Sequence, residues 1–172
     1  MSRLIWSAVA LGAAGFLVAL ALTGGRSGSG LATFTPMGLM TMPLAEVREV
    51  DVQTGDGHWH FVRAEDGWRA SVGGPAAGFA TRLENALTLL HNSGPDRVLG
   101  ADELANVDPA QFGLDRPRLR VVVNGSGASF GISFGETNVL GLSHYARRDG
   151  SREIALLPGF VAEAWERVGK LP

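Results

Sequence analysis

A single uncharged segment near the N-terminus divides this chain into two physically different parts. The 19 residues from Leu4 to Leu22 include no charged side chain. A helix of that length covers about 28 Å, close to the roughly 30 Å hydrocarbon core of a bilayer. Trp6 lies near the start of the segment, where an amphipathic ring suits the headgroup level. The pattern therefore predicts one N-terminal transmembrane helix, with residues 1–23 as a membrane anchor.

The charges around this segment indicate that the rest of the chain is exported. Arg3 precedes the segment and Arg26 follows it, so the free amine and Arg3 favour a cytoplasmic N-terminus. A secretory signal, uncleaved or cleaved, is the alternative, because Ala19-Leu20-Ala21 offers a small-x-small cleavage site. Both readings place the body in the periplasm or extracytoplasmic space, and the first makes the chain a single-pass protein of the cytoplasmic (inner) membrane.

Composition excludes several classes of protein. The 15 basic residues are outnumbered by 17 acidic ones, and binding to nucleic acid needs clustered Lys and Arg, so no nucleic-acid partner is expected. Cysteine is absent, which rules out a disulfide framework, a thiolate metal site and a lipid anchor on Cys. The body is therefore expected to depend on an ordinary hydrophobic core.

Residues 24–44 read as a connector between anchor and body. Gly24–Gly30 is rich in Gly and Ser and has the composition of a flexible hinge. Leu31–Leu44 is apolar, but Pro36 and Pro43 exclude a continuous helix there. We call Leu31–Leu44 the lead-in and expect it to lie in extended form on the body.

Residues 45–172 carry strand and helix patterns in the order βββ-α-ββββ-α. Glu46–Thr54 is predicted to be an edge strand with a bulge, because Val47 lies one register off from Val50 and Val52. The other predicted strands are His58–Ala64, Trp68–Val72, Leu119–Asn124, Ser129–Phe134, Leu142–Arg148 and Glu153–Leu157. Tight Gly-containing turns join many of them, which indicates antiparallel meanders.

Apolar spacing changes to three and four residues in two places. Ala76–His91 is predicted to be an amphipathic helix, and Pro158 is expected to open a final one. Between them, Asp102 and Asp108 are candidate N-caps of short helical turns. The sequence thus predicts a single α+β domain with antiparallel β-meanders and helices packed on the sheet.

Several short motifs in the body resemble one known family. The most specific is Phe112–Pro117 (FGLDRP), which is supported by Gly67-Trp68-Arg69, by Ile132–Thr137 (ISFGET) and by Tyr145–Arg147 with the Asp-Gly turn that follows. Together they resemble the domain-of-unknown-function family numbered 4340. Its members are membrane-anchored extracytoplasmic proteins, often encoded beside ABC-type transporter components of the gliding-motility type. The resemblance implies an accessory role and implies no catalytic residues.

Five residues have side chains that could bind copper. Met37, Met40 and Met42 have thioether spacing suited to Cu(I), and His58 and His60 share one face of a predicted strand. The plainer interpretation is that the methionines fill apolar gaps and the histidines lie on a solvated face. A copper or small-ligand module of the periplasm therefore stands only as the alternative function, and the expectation is that the protein holds no metal.

No catalytic motif accompanies these residues. The sequence has no nucleophile elbow, phosphate-binding loop or zinc-protease helix. We therefore expect no enzyme activity, no catalytic residue and no cofactor. The primary hypothesis is a non-catalytic accessory or assembly subunit that docks onto other subunits of a membrane complex such as an ABC-type transporter. The candidate partner contacts are Met37, Leu39, Met40, Met42, Arg116, Arg118 and Arg120. The spacing of the three arginines at every second residue predicts that they share one face of a strand.

Overall fold

The computed structural model describes residues 38–105 and 107–169, and its central feature is one eight-stranded antiparallel sheet. The strand order is β3-β2-β1-β5-β6-β7-β8-β4. The strands are β1 (Val47–Thr54), β2 (Gly57–Ala64), β3 (Gly67–Val72), β4 (Arg97–Leu99), β5 (Leu119–Gly125), β6 (Ser129–Thr137), β7 (Ser143–Arg148) and β8 (Ile154–Pro158). The predicted α+β class with antiparallel meanders is confirmed.

Three α-helices and two short 3-10 helices accompany the sheet within the described part of the chain. The α-helices are α1 (Phe79–Asn92), α2 (Ala101–Leu104) and α3 (Gly159–Glu166), and the 3-10 helices are Leu44–Glu46 and Pro109–Phe112. Helices α1 and α3 contact each other and share one hydrophobic cluster with the sheet. The expectation that helices pack on the sheet is confirmed.

The buried stripe of α1 is the one that the sequence predicts. Leu83, Ala86, Leu87 and Leu90 recur at three and four residue spacing and are all buried, because that spacing keeps them on one side of a helix. They pack on the sheet face that carries Val50, Phe61 and Val121. This first cluster is the main core of the domain.

Strand β1 has the predicted bulge but lies in the middle of the sheet. Its pairing with β5 shifts register between Val47 and Glu49, which confirms the bulge. The prediction of an edge strand is wrong, since β1 pairs with β2 on one side and with β5 on the other. The partner β5 follows α1 and α2 in the chain, and this long-range pairing buries both edges of β1.

The segment between α1 and β5 contains a strand that the sequence patterns miss. Strand β4 has three residues and pairs antiparallel with β8 at the edge of the sheet. The N-cap prediction for Asp108 is confirmed, because its carboxylate accepts a hydrogen bond from the Ala110 amide at 2.9 Å. The prediction for Asp102 is wrong, since α2 begins at Ala101 after Gly100 and so contains Asp102.

A second, smaller hydrophobic cluster lies on the opposite face of the sheet. Phe112, Leu114 and Ile154 form its buried centre, and Tyr145 packs against it. Along β7 and β8, residues that face this cluster alternate with residues that face the first one, as the two-residue period of a strand requires. The sheet is therefore covered by apolar side chains on both faces at its β7–β8 end.

The predicted membrane anchor, the hinge and the first half of the lead-in lie outside the described residues. Within residues 38–105 and 107–169, no helix is both long and apolar enough to cross a bilayer.

Candidate interaction site

The described part of the lead-in belongs to the core of the domain. Met40 is 0% exposed and Met42 is 7% exposed, and both pack in the first cluster. His91, at the end of α1, donates from Nδ1 to the Met40 carbonyl oxygen at 3.0 Å, and the Gly38 amide donates to the His91 carbonyl oxygen at 3.1 Å. The lead-in thus lies on the body as predicted from Gly38 onward.

This burial removes two of the predicted partner contacts. The side chains of Met40 and Met42 fill gaps in the chain's own core, so neither is available to a partner in this fold. Leu39 is half-buried against the same cluster. Met37 lies outside the described residues.

The histidine pair lies on the other face of the sheet, where it shares one carboxylate. Asp51 Oδ1 lies 3.2 Å from His58 Nε2 and 2.9 Å from His60 Nδ1. Trp59 and Phe61 alternate with these histidines and point into the first cluster together with Met40. Met40 and Met42 are therefore separated from the two histidines by the sheet and do not form one metal site with them.

No alternative metal site replaces it in the part of the chain that the structure describes. There, no group of three or more His, Asp or Glu side chains is arranged to hold a metal ion. The Asp51 carboxylate instead satisfies two imidazole nitrogens on a partly solvated strand surface.

The three arginines predicted to share a strand face do not do so. Strand β5 begins at Leu119, so Arg116 and Arg118 precede it and only Arg120 lies within it. Pro117, which has no amide hydrogen to donate, stands just before the strand. The prediction from alternation is therefore wrong for Arg116 and Arg118, because both precede the first residue of the strand.

Two of these arginines are paired within the domain. Arg118 pairs with Glu166 of α3. Arg120 makes a bidentate pair with Asp149, with Nη1 to Oδ1 at 3.0 Å and Nη2 to Oδ2 at 2.6 Å. Asp149 lies directly over Gly131, where a side chain would collide with its carboxylate. Arg116 is exposed, and of the three it alone makes no hydrogen bond or ion pair with another described residue.

Three of the four motifs that carry the family resemblance meet at one corner of the domain, whereas Gly67-Trp68-Arg69 lies in β3 at the far edge of the sheet. Gly113 has φ +67°, and an added Cβ would lie 2.8 Å from Glu136 Cγ. Gly135 lies under the Phe112 carbonyl oxygen, which an added Cβ would approach to 1.9 Å. The turn at residues 112–117 is thus seated on the end of β6, and both glycines are required by the close approach.

The third motif completes this corner from β7. The Phe112 and Tyr145 rings lie edge to face with centroids 4.7 Å apart. Arg147 donates from Nη2 to the Leu114 carbonyl oxygen at 3.3 Å. These contacts account for the positions of the three motifs by packing.

A different part of the surface stands out because it is apolar and exposed. Val139, Leu140 and Leu142, in the loop between β6 and β7, are 101%, 76% and 69% exposed, and Phe160 of α3 is 50% exposed. We call these four residues the apolar tip. Contiguous exposed apolar side chains on a soluble surface mark sites of contact with proteins, ligands or membranes.

The loop of the apolar tip is held in shape by its own hydrogen bonds. Asn138 Oδ1 accepts from the Leu142 amide at 3.0 Å and from the Ser143 amide at 3.3 Å. The Gly141 amide donates to the Asn138 carbonyl oxygen at 2.9 Å, and Gly141 has φ +71°. The exposed side chains are therefore presented by a defined turn.

Phe160 is joined to this loop by the backbone. The Gly159 amide donates to the Leu142 carbonyl oxygen at 2.8 Å, which ties the start of α3 to the turn. Val139 also lines a cleft of about 380 Å³ whose other apolar walls include Leu104 and Phe112. The apolar tip thus continues into the second cluster at the corner described above.

Sequence reasoning missed the apolar tip, although a signal was present. Val139 and Leu140 fall between two predicted strands, in a position where polar turn residues are usual. Leu142 was assigned by alternation to the start of a strand, whereas β7 begins at Ser143. An apolar pair within a predicted turn is the pattern that could have identified the site.

In comparisons with known proteins, the chain matches no protein-family model, no curated protein and no solved structure. The resemblance carried by the corner motifs therefore stays a prediction from those residues.

Proposed function

We propose that this protein is a non-catalytic, membrane-anchored accessory subunit of a membrane complex such as an ABC-type transporter. Its body would lie in the periplasm or extracytoplasmic space and would act by contact. The proposal combines the uncharged segment Leu4–Leu22 with the resemblance carried by residues 112–117, 132–137 and 145–150.

The apolar tip is the observation that carries one part of this proposal, namely that the body acts by contact with another surface. Val139, Leu140 and Leu142 are held in solvent by a hydrogen-bonded turn, Phe160 is half exposed at the start of α3, and burying such side chains is worth about 1.5–3 kcal/mol each. A folded domain gains nothing for its own stability from this exposure. The gain comes when another surface covers the tip, which is what a contact subunit needs.

The arrangement of the core supports contact at the tip in preference to the lead-in. Met40 and Met42 are buried, so the described lead-in is already occupied by packing within the domain. The tip, by contrast, leaves four side chains free for an external surface without unfolding any element.

Membrane fractionation followed by crosslinking tests the proposal. The full chain with a C-terminal affinity tag, expressed in its native host, is expected to resist carbonate extraction and to co-purify with other membrane proteins after crosslinking. A matched control carries a cleavable signal in place of residues 1–23, so that the same body is exported and released. A full chain that stays in the membrane but recovers no membrane partner would contradict the accessory role.

A further inference from the structure

The proposed function leaves open which surface covers the apolar tip. We propose that the tip inserts into the lipid surface of the membrane that holds the anchor, so that the body rests on the extracytoplasmic leaflet. This inference rests on the proposed membrane anchor and goes beyond it by assigning a lipid contact to Val139, Leu140, Leu142 and Phe160.

The chemistry of the tip fits lipid better than a protein partner. Its side chains are Val, Leu, Leu and Phe, which favour transfer into a bilayer. The energetic centres of protein interfaces are instead rich in Trp, Tyr and Arg, with Leu and Val under-represented. From Thr137 to Ser143 the chain has no charged residue, so the loop itself brings no charge into the apolar region, and the Asp96 carboxylate lies at the base of the loop, where it accepts from Ser143 Oγ at 2.6 Å.

The shape of the tip also favours a lipid surface as its contact. Val139 is 101% exposed and Leu140 is 76% exposed, so these side chains project beyond the turn. A protein partner would need a pocket matched to this projection. A lipid surface deforms around it without any matched shape.

The hydrogen bonding of the turn meets a requirement that a bilayer imposes. Backbone polar groups that leave water need partners within the protein. The amides of Asn138, Gly141, Leu142 and Ser143 all donate to acceptors within the turn, and the Leu142 carbonyl oxygen accepts from Gly159. The turn therefore enters an apolar environment with these groups already satisfied.

The length of chain between the proposed anchor and the body permits this contact. Fifteen residues separate Leu22 from Gly38, and a chain spans at most about 3.6 Å per residue, or roughly 54 Å. The longest strand, β6, has nine residues and covers about 30 Å at roughly 3.3 Å per residue. Covalent reach therefore allows either end of the sheet to meet the membrane.

A single labelled cysteine tests the lipid contact directly, because the chain has no cysteine of its own. The full chain with Leu140→Cys, labelled with an environment-sensitive fluorophore, is incorporated into nanodiscs of phosphatidylcholine alone. We expect the emission to shift to shorter wavelength, and a quencher carried on the lipid tails to remove most of the fluorescence. Since the tip has no charge, we expect the shift to be the same in low and in high salt.

The matched control is Ser126→Cys with the same label. Ser126 is exposed in the turn between β5 and β6, which lies at the other end of β6 from the tip. We expect its emission to stay that of a label in water. Adding Leu142→Ser and Phe160→Ser to the Leu140→Cys chain is expected to remove most of the shift, and circular dichroism checks that the fold is kept.

The outcomes separate this inference from the proposed function. A label at position 140 that stays in water, on a chain incorporated into the nanodisc, overturns the lipid contact and leaves the anchor intact. A shift that appears only in native membranes, where other subunits are present, assigns the tip to a protein and also overturns the inference. A chain that does not enter nanodiscs overturns the anchor, and the lipid contact with it.

Discussion

At Gly135, strand β6 passes so close to the turn at residues 112–117 that no side chain fits between them. An added Cβ would lie 1.9 Å from the Phe112 carbonyl oxygen. That oxygen is part of the backbone, so relief would require the whole turn to move. A residue whose role is to have no side chain is thus as important to this corner as the rings that pack there.

Gly135→Ala is therefore expected to destabilise the domain, by about 1–3 kcal/mol or more, because overpacking forces backbone shifts. Gly127→Ala is the control, since no atom lies within 4 Å of the Cβ that it would add, and we expect it to change stability by about 0.5 kcal/mol or less. Urea unfolding of the full chain in detergent, followed by circular dichroism, measures both. Equal midpoints for the two variants would contradict the tight contact.

A second prediction at the residue scale concerns the ion pair of Asp66 and Arg69 and its dependence on pH. The Arg69 guanidinium donates hydrogen bonds to both Asp66 oxygens, at 3.0 and 2.8 Å, and this holds the pKa of Asp66 below its ordinary value. Because the folded pKa is the lower one, the pair contributes stability above the unfolded pKa. That contribution is lost as the pH falls through the folded pKa. Both groups are exposed, so the contribution is small.

Replacing the partner should restore an ordinary titration. Arg69→Gln is expected to raise the pKa of Asp66, whereas Arg48→Gln, on an exposed side chain of β1, should leave it unchanged. Carboxyl NMR shifts recorded through the acid range measure the pKa directly. An Asp66 titration that is the same in all three chains would rule out the pair in solution.

At the scale of elements, the described part of the lead-in forms part of the core. Its residue Met40 is completely buried and its carbonyl oxygen is bound by His91 at the end of α1. Residues 38–44 are thus attached to the same helix that covers the sheet.

Two substitutions at Met40 separate a core role from a ligand or partner role. Met40→Ala is expected to cost about 2–5 kcal/mol in the free energy of unfolding, because it leaves a cavity. Met40→Leu is expected to cost less than about 1.5 kcal/mol, since it conserves volume. Thermal or urea unfolding of the purified chain gives both values. If Met40→Ala unfolds like the parent chain, the side chain does not pack as the structure has it.

The elements that the sequence predicts are those with a local signal. The stripe of α1 and the hairpin of β1 and β2 need only residues close in sequence, and both are confirmed. Strand β4 has three residues and no period to detect, and its pairing with β8 is non-local. The central place of β1 depends in the same way on β5.

The candidate site was predicted less well than the fold for a related reason. The side chains of Met40 and His60 both suit copper, but Met40 packs in the first cluster, whereas alternation along β2 directs His60 to the other face of the sheet. The apolar tip depends on the hydrogen bonds that Asn138 accepts within the turn, which fix the exposed side chains in place. Neither outcome follows from composition, since both depend on which residues the tertiary fold leaves uncovered.

At the scale of the whole molecule, the two hydrophobic clusters share strands. Ala146 and Leu157 face the first cluster, while Tyr145 and Ile154, in the same two strands, face the second. Neither cluster can lose its strands without exposing the other. We therefore expect the described domain to unfold as one cooperative unit, although its apolar residues lie on both faces of the sheet.

Phe112→Ala tests this coupling, because Phe112 belongs to the second cluster whereas Trp59, Trp68 and Trp165 all belong to the first. The substitution removes a buried ring and is expected to cost about 3–5 kcal/mol. If the clusters are coupled, tryptophan fluorescence and circular dichroism will show the same lowered urea midpoint.

Gln111→Ala, on the exposed neighbour, is the control, and Trp6→Phe in every chain removes the remaining tryptophan. An unchanged fluorescence midpoint, with a separate earlier loss of structure at residues 112–117 in hydrogen exchange, would show that the two faces unfold independently.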